Sequence, residues 1–188
     1  MRKINILAIS GSLRNNSSNT NILKAVGQMA VEEIDYQLFE GLEELSHYNP
    51  GAEEDNDKAL LFKSKVRIAD GIIICTPEYA FGIPGVLKNA LDWTVSTGEF
   101  NDKPVAAISA SPLNSGGDKA LASLLLTLTA LGTKRNEKSY LSIPNIKQKI
   151  SVEGTLTDVT LKNQLKMILT NLIEQINTDL IDKPDLLK

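Results

Sequence analysis

The chain has 188 residues, 20 of them Lys or Arg and 23 Asp or Glu, for a formal net charge of -3 with its one histidine neutral. So mild a balance, with the basic residues dispersed, argues against a nucleic-acid partner or an acidic tail, and no apolar run approaches the ~20 residues that span a bilayer. A single cysteine excludes an internal disulfide and fits a reducing, cytoplasmic setting, while the length suits one domain over 1–188 that buries roughly 70% of its unfolded surface.

In chain order, the first predicted strand covers 3 to 10. Met1-Arg2-Lys3 before a short apolar run resembles a secretion signal, but the run ends in a polar loop without a cleavage site, so it reads as a strand. That loop is Gly11-Ser12-Leu13-Arg14-Asn15-Asn16-Ser17-Ser18-Asn19, and it opens a helix predicted over 19 to 32 with Asn19 or Thr20 as N-cap. A turn of this kind aims free backbone N–H groups and the helix dipole at one spot, where an anion is stabilised. Ser12, Ser17 and Asn19 add neutral donors, and Arg14 supplies a charge able to hold two oxygens, which suits a terminal monophosphate. The same residues also read as ordinary loop and cap chemistry. No Lys precedes a Ser or Thr at the loop's end as a Walker loop requires, and only Gly11 stands where a dinucleotide loop needs three glycines.

A second strand over 34 to 39 ends at Glu40, read as a solvated strand-end charge, and His47 in the following loop reads as a surface residue without metal-ligand spacing. A helix over 55 to 69 leads to a strand over 70 to 76, whose β-branched run Ile72-Ile73-Ile74 is typical of a strand covered on both faces. Cys75, at its end, reads as a small core residue. The loop from Thr76 to Gly82 then sits at the carboxyl edge of a parallel sheet, where such sheets bind ligands. Pro77, Pro84, Gly82 and Gly85 give it one built shape, and rigid amides beside Tyr79 and Phe81 suggest a planar heterocycle. The alternative is a connector whose aromatics cover the sheet edge.

The helix over 84 to 97 carries Lys88 and Asp92 as an i,i+4 pair, and Trp93 as core, subunit contact or ligand wall. A strand over 103 to 110 precedes Ser109-Ala110-Ser111-Pro112 and Gly116-Gly117. The helix over 115 to 131 has Leu121, Leu124, Leu125, Leu128 and Leu131 at sheet-covering spacing. A strand over about 137 to 143 and a helix over 157 to 180, stopped near Pro184, complete five βα units. These predict an α/β doubly wound parallel sheet with helices on both faces, and the flavodoxin-like order 2-1-3-4-5 places the loops after strands 1 and 3 side by side.

The patterns Gly-Ser-Leu-Arg-x-x-Ser-x-Asn and Thr-Pro-Glu-Tyr, the latter followed by Ile-Pro-Gly-x-Leu-Lys-Asn-Ala-Leu-Asp-Trp, resemble the NAD(P)H-dependent FMN reductase family, which includes quinone and azo-dye reductases. By that resemblance Ser12, Arg14, Ser17 and Asn19, with Ser18 and Thr20 beside them, form the FMN-phosphate loop. Pro77, Glu78 and Tyr79, continued by Ala80 and Phe81, form the segment whose backbone meets the isoalloxazine. Ser111 and Gly116 belong to a third, less regular loop. Ala80 stands where the family usually has Asn. The resemblance implies non-covalent FMN, NADPH or NADH as hydride donor, and a quinone, azo compound or flavin as acceptor. FMN carries the chemistry, so no catalytic side chain and no metal are expected. A homodimer or dimer of dimers with the 84-to-97 helix at its interface is implied as well. A flavodoxin-type electron carrier or an FMN-binding redox-responsive regulator is the competing reading.

Overall fold

The computed structural model describes residues 2–51 and 56–182. Strands β1 (Ile4–Ser10), β2 (Ile34–Phe39), β3 (Gly71–Thr76), β4 (Val105–Ala110) and β5 (Tyr140–Ile143) pair in parallel in the order β2-β1-β3-β4-β5. Helices α1 (Ser18–Gln28), α2 (Asp57–Ile68), α3 (Gly85–Asp92), α4 (Asp118–Ala130) and α5 (Val159–Asp182) connect or follow them. This is the doubly wound, flavodoxin-like architecture that the alternating pattern predicts.

The period-2 geometry of a strand explains why the central strands are apolar throughout. Leu7 and Ile9 of β1, with Ile72 and Ile74 of β3, pack with Phe62 of α2, Leu87 of α3 and Leu124 of α4 in one core. Ile6, Ala8, Ile73 and Cys75 face the opposite way and pack with Ile22 and Leu23 of α1 and Leu165 and Leu172 of α5. The sheet is covered on both sides, and polar chemistry is left to its edge.

Several boundaries differ from the sequence reading. Helix α1 begins at Ser18 with Ser17 as N-cap, so neither Asn19 nor Thr20 caps it. It ends at Gln28, where Met29 and Ala30 donate to Val26 O and Gly27 O in a tightened last turn, rather than at residue 32. Helix α3 stops at Asp92 instead of 97, as Trp93 turns its indole toward Ser46 and the following residues form successive turns. Strand β5 starts at Tyr140 because Asn136 and Ser139 close a turn, with Ser139 N donating to Asn136 O at 3.0 Å. The expected helix start at Asp55 and the stop at Pro184 lie outside the described residues. Among the described residues, no helix is long and apolar enough to cross a membrane.

Candidate functional site at the carboxyl edge of the sheet

The topological switch point lies between β1 and β3, and the chain pinches there. Gly11 N donates to Cys75 O at 2.8 Å, and a Cβ on Gly11 would stand 2.9 Å from Thr76 Oγ1 and 3.0 Å from Leu87 Cδ2. Only glycine lets the two loops approach so closely. The outcome is a cavity of about 320 Å³ walled by Ser12, Arg14 and Asn16–Asn19 from the first loop, Pro77–Tyr79 from the second and Ala110–Leu113 from the third.

The amino terminus of α1 opens into this cavity without a side-chain cap. The first backbone bond of α1 runs from Asn21 N to Ser17 O, so the amides of Ser18, Asn19 and Thr20 have no intrahelical acceptor. Ser17 makes no side-chain cap bond, and no acidic residue stands in the first turn. Those donors and the positive end of the dipole are thus left for something outside the helix. The exposed Arg14 guanidinium makes no hydrogen bond or ion pair among the described residues. Lys147, from the short 3-10 turn Ile146–Gln148, lines the same cavity. It is carried there by backbone bonds from Asn145 N to Leu113 O (3.2 Å) and Ile146 N to Ser111 O (3.1 Å). Sequence reading missed Lys147, whose 36-residue separation from Ser111 gives no local signal.

Other side chains set the geometry. The buried Cys75 thiol donates to Asn19 Oδ1 at 3.2 Å, fixing the first turn of α1 against β3. Burial pushes the thiol pKa well above its ordinary value, so the thiolate is disfavoured and Cys75 remains a packing and positioning residue. At about pH 8, iodoacetamide should leave Cys75 of the folded protein unmodified while labelling it fully in urea; rapid labelling of folded protein would contradict this. Asn16 Nδ2 reaches Val152 O at 3.1 Å and Asn16 Oδ1 accepts from Asn21 Nδ2 at 2.8 Å, tying the first loop to the segment before α5. Glu78 Oε2 accepts from Ala120 N at 3.0 Å, which caps α4, whose own N-cap Gly117 has no side chain to do so. The carboxylate thereby anchors the second loop to the helix that follows the third.

Of the residues singled out from sequence, Ser12, Arg14, Ser17, Ser18, Asn19, Pro77, Glu78, Tyr79 and Ser111 line the one cavity, whereas Thr20, Ala80, Phe81 and Gly116 do not. The Thr20 hydroxyl pairs with Ser10 Oγ at 2.7 Å. Gly116 has φ +65°, its carbonyl accepts from Ser109 Oγ, and a Cβ there would overlap Ser142 Oγ. Ala80 and Phe81 form the tip of a two-residue turn closed by Tyr79 N to Gly82 O and Gly82 N to Tyr79 O, each 3.0 Å. Both have positive φ, +49° and +61°. Such a turn favours Asn and Gly, and each other L-residue in this conformation costs roughly 1–2 kcal/mol.

A second cavity, of about 590 Å³, shares Arg14 and Tyr79 with the first and is otherwise walled mainly by Leu13, Leu42, Leu45, Pro84 and Val86. The Leu45–Tyr48 wall is latched to the rest of the molecule: Asn89 Oδ1 accepts from Tyr48 N, and both Asn89 Nδ2 and Trp93 Nε1 donate to Ser46 O. Trp93 is only 1% exposed, which settles its role as core. His47 is exposed at the rim of this cavity. Lys88 and Asp92 do form their i,i+4 pair.

A parallel sheet of this order, with two loops meeting at its switch point, defines the flavodoxin-like class of α/β protein. The chain belongs to the NADPH-dependent FMN reductase family, whose model matches residues 4–148. It is similar to a probable NADPH:quinone oxidoreductase of Oryza sativa subsp. japonica, 30% identical over 91% of this chain and 88% of the relative. An NAD(P)H-dependent FMN reductase of Pseudomonas aeruginosa is 32% identical over 82% of this chain and 85% of that protein. Among solved structures, a flavoenzyme NAD(P)H:(acceptor) oxidoreductase of Paracoccus denitrificans superposes with a TM-score of 0.79 at 26% identity, covering 93% of this chain and 98% of its own. The protein is accordingly an enzyme, an NAD(P)H-dependent oxidoreductase that works with FMN.

Proposed function

We propose that the three-loop cavity holds FMN with its phosphate at the amino terminus of α1, and that the enzyme transfers two electrons from NAD(P)H to a small acceptor such as a quinone, an azo compound or a free flavin. The observation that carries this reading is the uncapped, acid-free first turn of α1 in one cavity with Arg14 and the Pro77–Tyr79 backbone. The amides of Ser18, Asn19 and Thr20 are the donors for phosphate oxygens, and Arg14 and Lys147 neutralise its charge. Pro77 and the Glu78-to-Ala120 anchor keep the second loop from yielding when a ring system lies against it. When bound there, FMN would supply the two-electron redox chemistry between NAD(P)H and the acceptor. The chain's own residues bind and orient. With a quinone, the balance is NAD(P)H, a proton and quinone giving NAD(P)+ and hydroquinone.

One cavity mouth serves both substrates, so they alternate there in a ping-pong cycle. A homodimer, or a dimer of dimers, places the exposed side of α3 and the turn before it at the contact, with Val95 among the apolar side chains it would cover. Trp93, being buried, takes no part in that contact. Purified protein should be yellow, release FMN in equimolar amount on denaturation, sediment as a dimer or larger, and give parallel double-reciprocal lines with NADPH and a quinone. Release of FAD, or intersecting lines, would overturn the corresponding part of this reading.

A further inference from the structure

We propose that Asn16 is a positioning residue that sets the preference for a phosphorylated flavin, by locking the first loop to the segment that carries Lys147; the proposal rests on the FMN reading above. The backbone of Asn16 is the first observation. It stands at φ +53°, between Arg14 and the N-cap Ser17, in a conformation that Gly adopts freely. The turn alone therefore does not require the side chain, which makes two bonds away from it. Asn16 Nδ2 donates to Val152 O at 3.1 Å, and Asn16 Oδ1 accepts from Asn21 Nδ2 at 2.8 Å. Gly154 completes the junction. A Cβ there would overlap Asn21 Nδ2 and stand 2.9 Å from Asn16 Oδ1, so a side chain at this position would push both amides aside.

The stiffness of the far segment is the second observation. Ile150 and Leu156 form an antiparallel bridge, Ser151 N donates to Thr155 O at 2.8 Å, and Thr157 N donates to Lys149 O at 2.9 Å. Lys149 N donates in turn to Ile146 O at 3.0 Å, which joins this hairpin to the turn bearing Lys147. Ile146 and Leu156 are both buried in the core shared with α1 and α5. The segment is thus one braced body, with Lys147 lining the cavity near one end and Val152 O meeting Asn16 farther along. Through Asn16 the α1 amides and Lys147 keep a fixed spacing, so a phosphate meets donors from two elements without first having to order them. Both bonds of Asn16 lie at the surface, where a hydrogen bond adds little to global stability. The tie serves the site more than the fold.

The test titrates the full chain, freed of flavin, with FMN and with riboflavin, which lacks the phosphate. Asn16→Gly keeps the turn and removes the tie; it should weaken FMN about three- to tenfold and leave riboflavin unchanged. Asn21→Ala, which does not line the cavity and reaches it through Asn16, should weaken FMN alone by about two- to fourfold. Both variants should melt within about 2 °C of wild type. Lys147→Ala should weaken FMN by a larger factor in wild type than in the Asn16→Gly background, because an untied lysine contributes less. Unchanged FMN affinity in Asn16→Gly overturns the proposal. So does an equal loss for both flavins, which would make the tie a general brace, and so do Asn16 and Lys147 losses that simply multiply in the double variant. Failure of the wild type to bind FMN more tightly than riboflavin would instead remove the FMN reading, and this proposal with it.

Discussion

Replacing Trp93 by Ala should destabilise the protein by about 3–5 kcal/mol, the range for deleting a large buried aromatic. The indole is 1% exposed, meets the Tyr48 ring edge-on at 5.2 Å, donates to Ser46 O at 3.0 Å and lies under Lys63 Nζ at 5.8 Å. Its loss opens a void between α3 and the Leu45–Tyr48 segment. Trp93→Phe should cost less, because Ser46 O still accepts from Asn89 Nδ2 at 2.9 Å and is not orphaned. Urea unfolding of the two variants measures both effects. An unfolding free energy for Trp93→Ala within about 1 kcal/mol of wild type would mean that the side chain is not the keystone its burial indicates.

Sequence reading located this tryptophan on a helix but left its role open among core, contact and ligand wall. The reason is physical. Helical spacing says which residues share a face, whereas the partner that covers Trp93 is Ser46–Tyr48, an irregular segment some 45 residues away with no periodicity of its own. The sheet was far more legible. Each of the buried central strands is a short apolar run, and β2 spans Ile34–Phe39 as its predicted bounds of 34 to 39 require. Loop chemistry fell between these extremes. The Gly11-to-Asn19 and Thr76-to-Gly85 stretches declare themselves by composition, and nine of the candidate residues gather in one cavity. Lys147 and the capping of α4 by Glu78 could not be read, since each depends on two distant loops meeting. The helix start at Ser18, with Ser17 as N-cap, was missed because capping is recognised by a side chain that satisfies an amide, and here Ser17 leaves the amides free.

Those free amides make Arg14 the side chain whose removal should most weaken cofactor binding. Arg14→Ala should reduce FMN affinity by about 1.5–3 kcal/mol, roughly 10- to 150-fold, the scale of a hydrogen bond to a charged group. Stability of the apoprotein should stay within about 0.5 kcal/mol of wild type, since the guanidinium has no partner to lose among the described residues. Riboflavin separates the two roles open to Arg14, which borders both cavities. It has the ring system of FMN but not the phosphate, so a residue that meets the phosphate leaves riboflavin binding unchanged and narrows the preference for FMN over riboflavin by the full factor. Fluorescence titration of apoprotein with each flavin reads this directly. The deficit should also shrink as salt is raised, because part of it is screened charge attraction. An equal loss for both flavins would place Arg14 against the ring. No loss for either would leave the phosphate to the α1 amides and Lys147, and Arg14 would then belong to the neighbouring cavity alone.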